Sequence, residues 1–169
     1  MNNLKNLFKQ PLKKVPNSIA IFILIIALLG FVDAGYLTVE HYRNVVPPCS
    51  LTAECEQVLT SSYSVVMGVP VSLAGAIYYL LIMIGAFGYL ESKNVKLLKF
   101  TLLLTIAGLL ASLWFVYVQV FIIHSYCAYC LGSALTSIIL FVTSMNVLMR
   151  YQIAGESDVC AEIPNDQNK

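Results

Sequence analysis

Four stretches of this chain are long and apolar enough to lie in lipid: Ile19–Val39, Val69–Leu90, Phe100–Ile123 and Tyr126–Met149. A bilayer core takes about 20 apolar residues at a rise of about 1.5 Å each. Asp33 is the single charge in the first stretch, and the other three hold none. Lipid offers backbone N–H and C=O groups no partners, so a spanning segment is either a helix or a strand of a closed barrel. Barrel strands alternate polar and apolar residues, and these stretches do not. The expected fold is therefore all-α, a four-helix transmembrane bundle. Composition agrees, since 59% of the 169 residues are apolar and 11% charged, against about 25% charged in soluble domains. No acidic or basic block points to nucleic acid.

The spans imply one membrane domain over residues 19–150, preceded by segment 1–18 and followed by tail 151–169. The first span is too long for a signal-peptide core and lacks a small-residue cleavage site, so it reads as an uncleaved helix. Glu91–Lys99 joins the second and third spans. His124 and Ser125 alone separate the third and fourth, which makes those two a tight hairpin. Gly30, Ala34, Gly75, Gly85, Gly108 and Gly132 are small enough to let helices approach closely.

Lysine and arginine near span ends set orientation, because cytoplasmic loops carry the excess. Lys5, Lys9, Lys13 and Lys14 precede the first span, Lys93, Lys96 and Lys99 lie in the second connection, and Arg150 follows the fourth span. Four crossings place all of these, with both termini, on the cytoplasmic side. The first connection, roughly Tyr42–Gly68 with Arg43 alone, and the His124–Ser125 turn then face outward.

Cys49 and Cys55 lie in that first connection, and Cys127 and Cys130 open the fourth span. Both pairs thus face the oxidising side, where disulfides persist. Cys160 falls in the cytoplasmic tail and reads as a free thiol without a role. Cys127-Ala-Tyr-Cys130 is a C-x-x-C motif at a helix start, with Ser125 as its expected N-cap. Helix N-termini and such motifs lower a thiol pKa from about 8.5 into a range of about 3.5–7.5, and the thiolate is the attacking species in disulfide exchange. In the loop, Pro47-Pro48 stiffens the approach to Cys49, and Thr52 caps a short helix containing Cys55. The direct reading is a two-stage relay from a soluble thiol protein, through the loop pair, to the helix pair and a lipid-soluble oxidant. Two close pairs also suit structural disulfides, a zinc site or soft-metal handling.

The motifs add a family resemblance over about Ile19–Met149. The loop cysteines are followed by Glu56-Gln57-Val58-Leu59-Thr60-Ser61, then Gly68-Val69-Pro70-Val71-Ser72-Leu73-Ala74-Gly75, then Cys127-Ala-Tyr-Cys130-Leu-Gly-Ser. In this order the chain resembles the bacterial homologues of vitamin K epoxide reductase. The resemblance implies a four-helix bundle around a quinone (ubiquinone or menaquinone, with no metal) in the bacterial inner membrane. It implies coupling of disulfide formation in a periplasmic thioredoxin-like protein to quinone reduction. Carried over by position, Cys49 meets the partner, Cys55 passes electrons to Cys127, Cys130 faces the quinone, and Ser61 lies near the redox centre. Vertebrate members carry an asparagine and a tyrosine near the quinone where Val71 and Ala134 stand here. A bacterial quinone, not vitamin K epoxide, is the implied substrate. Many bacterial members have a fused thioredoxin-like domain; the residues after the last span are too few for one, so a separate partner is expected.

Other residues carry two readings each. Asp33, as an intramembrane charge, is a functional candidate, although a structural hydrogen bond from water or Tyr36 is the plainer expectation. His124 is either a proton-transfer group or a solvated turn residue, the latter preferred. Tyr36, Tyr42, Tyr63, Tyr117, Tyr126 and Tyr129 read as an interfacial belt. Trp114 is open to packing or to contact with a planar ligand.

Overall fold

The computed structural model describes residues 15–45, 55–61, 63–66 and 68–161, with 151–161 as backbone alone. Helix α1 spans Asn17–Tyr42, the short α2 Cys55–Leu59, α3 Val71–Ser92, α4 Val95–Tyr117 and α5 Ala128–Ala161. A π-helical segment, Val118–Ile123, extends α4. A small antiparallel hairpin pairs β1 (Val65–Val66) with β2 (Val69–Pro70) just before α3. Four of these elements are long and apolar enough to cross a membrane: Asn17–Tyr42, Val71–Ser92, Lys96–Ile123 and Ala128–Arg150. The chain is an all-α, multi-pass membrane bundle.

The long helices form a ring, with α1 and α4 each packed on both α3 and α5. Ala20, Ile23, Ala27, Gly30, Ala34 and Leu37 form the buried seam of α1. Their alternating spacing of three and four keeps one stripe facing its neighbours. Ile21, Phe22, Ile25, Leu28, Leu29 and Val32 point outward. Both faces are apolar, so the faces are sorted by size. Small residues let backbones meet, and large ones meet lipid.

Several expected close approaches form. Gly85 makes room for Thr101 and Gly108 for the Tyr78 phenol, whereas a methyl added at Gly75 would meet the Ala34 methyl at an ordinary 3.6 Å. Gly132 differs: a methyl there would meet nothing within 4 Å, because it sits on an exposed face of α5. Gly30 lies under the Tyr79 ring, which a Cβ would overlap. That ring cannot swing aside freely, because its hydroxyl donates to the Ser133 carbonyl at 2.8 Å and bonds Thr136 Oγ1 at 2.7 Å. Gly30→Ala is expected to cost about 1–3 kcal/mol through overpacking. Gly35→Ala, with open space around it, is expected to be neutral or stabilising. Thermal unfolding in detergent micelles compares the two.

The connections differ from the sequence expectation in detail. The break between α3 and α4 narrows to a tight turn, with Lys93 left-handed at φ 53 and the Asn94 side chain accepting from the Lys96 N–H at 3.0 Å. Strand β2 takes Val69 and Pro70 out of the third helix, and α5 continues past Met149 to Ala161. Trp114 is 57% exposed and stacks on Tyr117 at 6.1 Å on the outer face of α4. It is no contact for an interior ligand.

Candidate active site

The cysteine end of the bundle is assembled by a few polar contacts. Ser125 was expected to cap α5, but its hydroxyl donates to Gln57 Oε1 at 2.6 Å, tying the α4–α5 turn to α2. Cys127 takes the cap position instead, since its carbonyl accepts the Leu131 N–H at 3.0 Å and α5 begins at Ala128. The Cys127 N–H donates to the buried Gln119 Oε1 at 3.2 Å, and the Ser125 N–H to the Gln119 carbonyl at 3.2 Å. Gln119 sits in the π-helical segment. The extra residue of such a turn shifts the register of the side chains that follow, and π-turns recur at functional sites.

Cys55, Val58 and Cys127 are buried together, with Leu59, Ile123, Tyr129 and Cys130 packed around them. Cys127 and Cys130 are free thiols, while Cys55 is disulfide-bonded. Cys49 lies outside the described residues, as do Pro47, Pro48 and Thr52; the side chain of Cys160 does too. Cys127 lies just outside its spanning helix. A hydrogen bond from the Cys130 thiol brings Cys127 below the usual thiol range, to about 7, helped by the Cys130 and Tyr129 N–H groups and opposed by burial. In the reduced protein the Cys127 thiolate therefore prevails above about pH 7 and is lost as pH falls through that value. The ultraviolet thiolate absorbance that disappears in Cys127→Ser is expected to rise around pH 7. An ordinary thiol would give that rise nearer pH 8.5.

Cys130 opens on a cavity of about 720 Å³ lined by the four long helices and the loop. That is within the range of about 300–1,000 Å³ typical of small-molecule sites. Ser61, Val71 and Ala134, each expected near a ligand, line the same cavity. Cys55 and Cys127 do not line the cavity; they are buried together, with Cys130 packed against them. The Ser61 hydroxyl donates to the Val58 carbonyl at 2.7 Å, closing the end of α2 at the cavity wall. His124 is exposed in a left-handed turn and does not line the cavity, in line with a solvated turn residue.

Three residues escaped the sequence reading. Gln119 holds Cys127 as above. Tyr79 bridges α3 to Ser133, Thr136 and Ser137, on the two turns of α5 after Cys130. Tyr78 lines the cavity, its ring edge-on to Tyr79 at 5.0 Å. Its buried hydroxyl lies near the Ser137 side chain but makes no hydrogen bond within 3.5 Å among the described residues. A tyrosine beside a glycine-bearing helix in an apolar span gave no signal in sequence, because Tyr78 and Gly108 meet only across the fold. Among the described residues, no group of three or more His, Cys, Asp or Glu side chains gathers as a metal site.

A ligand that fits this cavity is largely apolar, carries oxygens able to accept a hydrogen bond from Tyr78, and meets a thiol at Cys130. A quinone has that chemistry. No curated protein sequence matches the chain. The model of the vitamin K epoxide reductase family matches residues 21–145. That family comprises membrane thiol–disulfide oxidoreductases associated with quinone and with thioredoxin-like partners. The match takes in the two middle spanning helices whole, most of the first and last, the loop helix and the C-x-x-C whose Cys130 lines the cavity: the chain belongs to the vitamin K epoxide reductase family.

Proposed function

We propose that this protein oxidises a separate periplasmic thioredoxin-like dithiol protein and delivers the electrons to a membrane quinone. It thereby supports disulfide formation in secreted proteins. One observation carries the reading: Cys55 and Cys127 are buried in one cluster, and Cys130, packed against that cluster, also lines the cavity. The lysine distribution supports an inner-membrane protein with cytoplasmic termini and outward-facing cysteines.

The first exchange starts from a Cys49–Cys55 disulfide. A partner thiolate attacks Cys49 Sγ and frees the Cys55 thiolate, and the partner's second thiol then releases its own disulfide and frees Cys49. Cys55 attacks Cys127 of the Cys127–Cys130 disulfide, forming a Cys55–Cys127 bond and freeing Cys130. Cys49 attacks Cys55 Sγ, restoring the loop disulfide and freeing Cys127. These steps are thiolate exchanges that conserve electrons. They leave both electrons on the Cys127–Cys130 pair beside the cavity.

A bound quinone supplies the final sink, accepting two electrons and two protons on becoming a quinol. Cys130 is the thiol facing it, and Cys127 closes the S–S bond. With a quinone bound, the Tyr78 hydroxyl would supply a hydrogen bond to a carbonyl, a contact that Val71 and Ala134 cannot supply. Ser61 closes the end of the Cys55 helix and keeps that helix against Cys127. The purified protein with dithiothreitol and a short-chain ubiquinone tests the reading, because it requires quinol to form in step with dithiol consumed.

A further inference from the structure

The relay gives Asp33 no task, yet this residue is costly to keep. An ionisable side chain within a span is expensive unless it is paired or used. The expected structural partner does not serve it, since Tyr36 is exposed and packs its ring against Tyr129 at 5.8 Å. Asp33 Oδ2 is buried with no hydrogen-bond partner among the described residues. Asp33 lines the cavity together with Cys130, close enough to act electrostatically on both Cys127 and Cys130.

The chemistry of the proposed function leaves a gap at this place. Closing the Cys127–Cys130 bond breaks the S–H bond of Cys130 inside a largely apolar cavity, whose other acidic and imidazole lining groups, Glu40 and His41, lie about two turns of α1 beyond Asp33, and quinol formation needs protons on two oxygens there. Carboxylates positioned within reach of the reacting atoms are effective proton carriers. We infer that Asp33 is the proton carrier of this site: its carboxylate takes the proton leaving Cys130 and, as a carboxylic acid, gives it to a quinone oxygen. This rests on the quinone-reductase reading above.

The balance closes. Cys127 enters as the thiolate and Cys130 as the thiol. The S–S bond forms, two electrons leave the sulfur pair for the quinone, one proton travels from Cys130 through Asp33, and the second comes from water. Asp33 ends ionised, as it began.

The test uses the full-length protein in detergent or nanodiscs, with Asp33→Asn and Asp33→Glu. Three quantities are followed: dithiothreitol-driven reduction of a short-chain ubiquinone, equilibrium binding of that ubiquinone, and quinone-free reduction of the Cys127–Cys130 disulfide read by thiol trapping. Asp33→Asn is expected to slow quinone reduction about 100-fold. Binding and quinone-free reduction should stay within about threefold of wild type, and Asp33→Glu should recover most of the lost rate. An Asp33→Asn rate within threefold of wild type overturns the assignment. So does an equal loss in binding or in quinone-free reduction, which marks a structural role. If the wild-type protein itself reduces no quinone, the underlying function falls, and the proton carrier with it.

Discussion

Cys130→Ala abolishes dithiol-driven quinone reduction, with a loss of at least about 1,000-fold. Two effects of the substitution act together. Cys130 is the cysteine that lines the cavity, so its removal takes away the only described thiol at the ligand's side. Its thiol is also the main cause of the lowered Cys127 pKa. Without that hydrogen bond Cys127 returns toward the ordinary thiol range of about 8.5, so less thiolate is present at neutral pH. Cys127 cannot take over, because it is fully buried with Cys55 and Val58 and does not line the cavity. Quinol formation followed by ultraviolet absorbance reads the loss, and thermal unfolding checks that the bundle is intact. Full activity in Cys130→Ala would remove Cys130 from its assigned place.

Cys55→Ala separates the two halves of the relay. Cys55 is fully buried against Cys127, the place a resolving thiol must occupy. Without it, the Cys49 thiol attacks the disulfide of an oxidised thioredoxin-like partner and forms a mixed disulfide, releasing one partner thiol. No Cys55 thiol remains to break that bond. The expected result is a covalent complex on non-reducing gels that is absent in wild type. Reductant dissolves it, and a second change, Cys49→Ala, eliminates it. Partner-driven quinone reduction falls to background. A Cys55→Ala protein that still oxidises its partner at the wild-type rate would show that electrons enter the helix pair by another route.

The membrane architecture was largely legible in the sequence, because lipid leaves an apolar span little choice of structure. The expected helices end within a few residues of the observed ones, apart from the extension of α5 to Ala161. Which face of each helix turns inward was not legible. Ile23 and Ile25 are the same residue type, yet one is buried and the other exposed, and the inward face becomes visible only once neighbours are in place. The motifs marked Ser61, Val71, Ala134 and Cys130 for one candidate site, and these residues, far apart in sequence, line one cavity. The polar scaffolding was not. Ser125 has the right residue type and spacing for a cap, yet Gln57 on α2 claims its hydroxyl, a tertiary contact that overrides local preference. Gln119 and Tyr78 owe their roles to a π-turn and to a cross-helix gap above Gly108, neither of which leaves a pattern in the residues.

The most direct measurement is on the purified wild-type protein in detergent: dithiothreitol is supplied, a short-chain ubiquinone is the only acceptor, and metal content is determined on the same sample. The expected result is catalytic formation of one quinol for each dithiol oxidised, with no stoichiometric metal. Intact, folded protein that reduces no quinone and carries bound metal on reduced cysteines would contradict the relay.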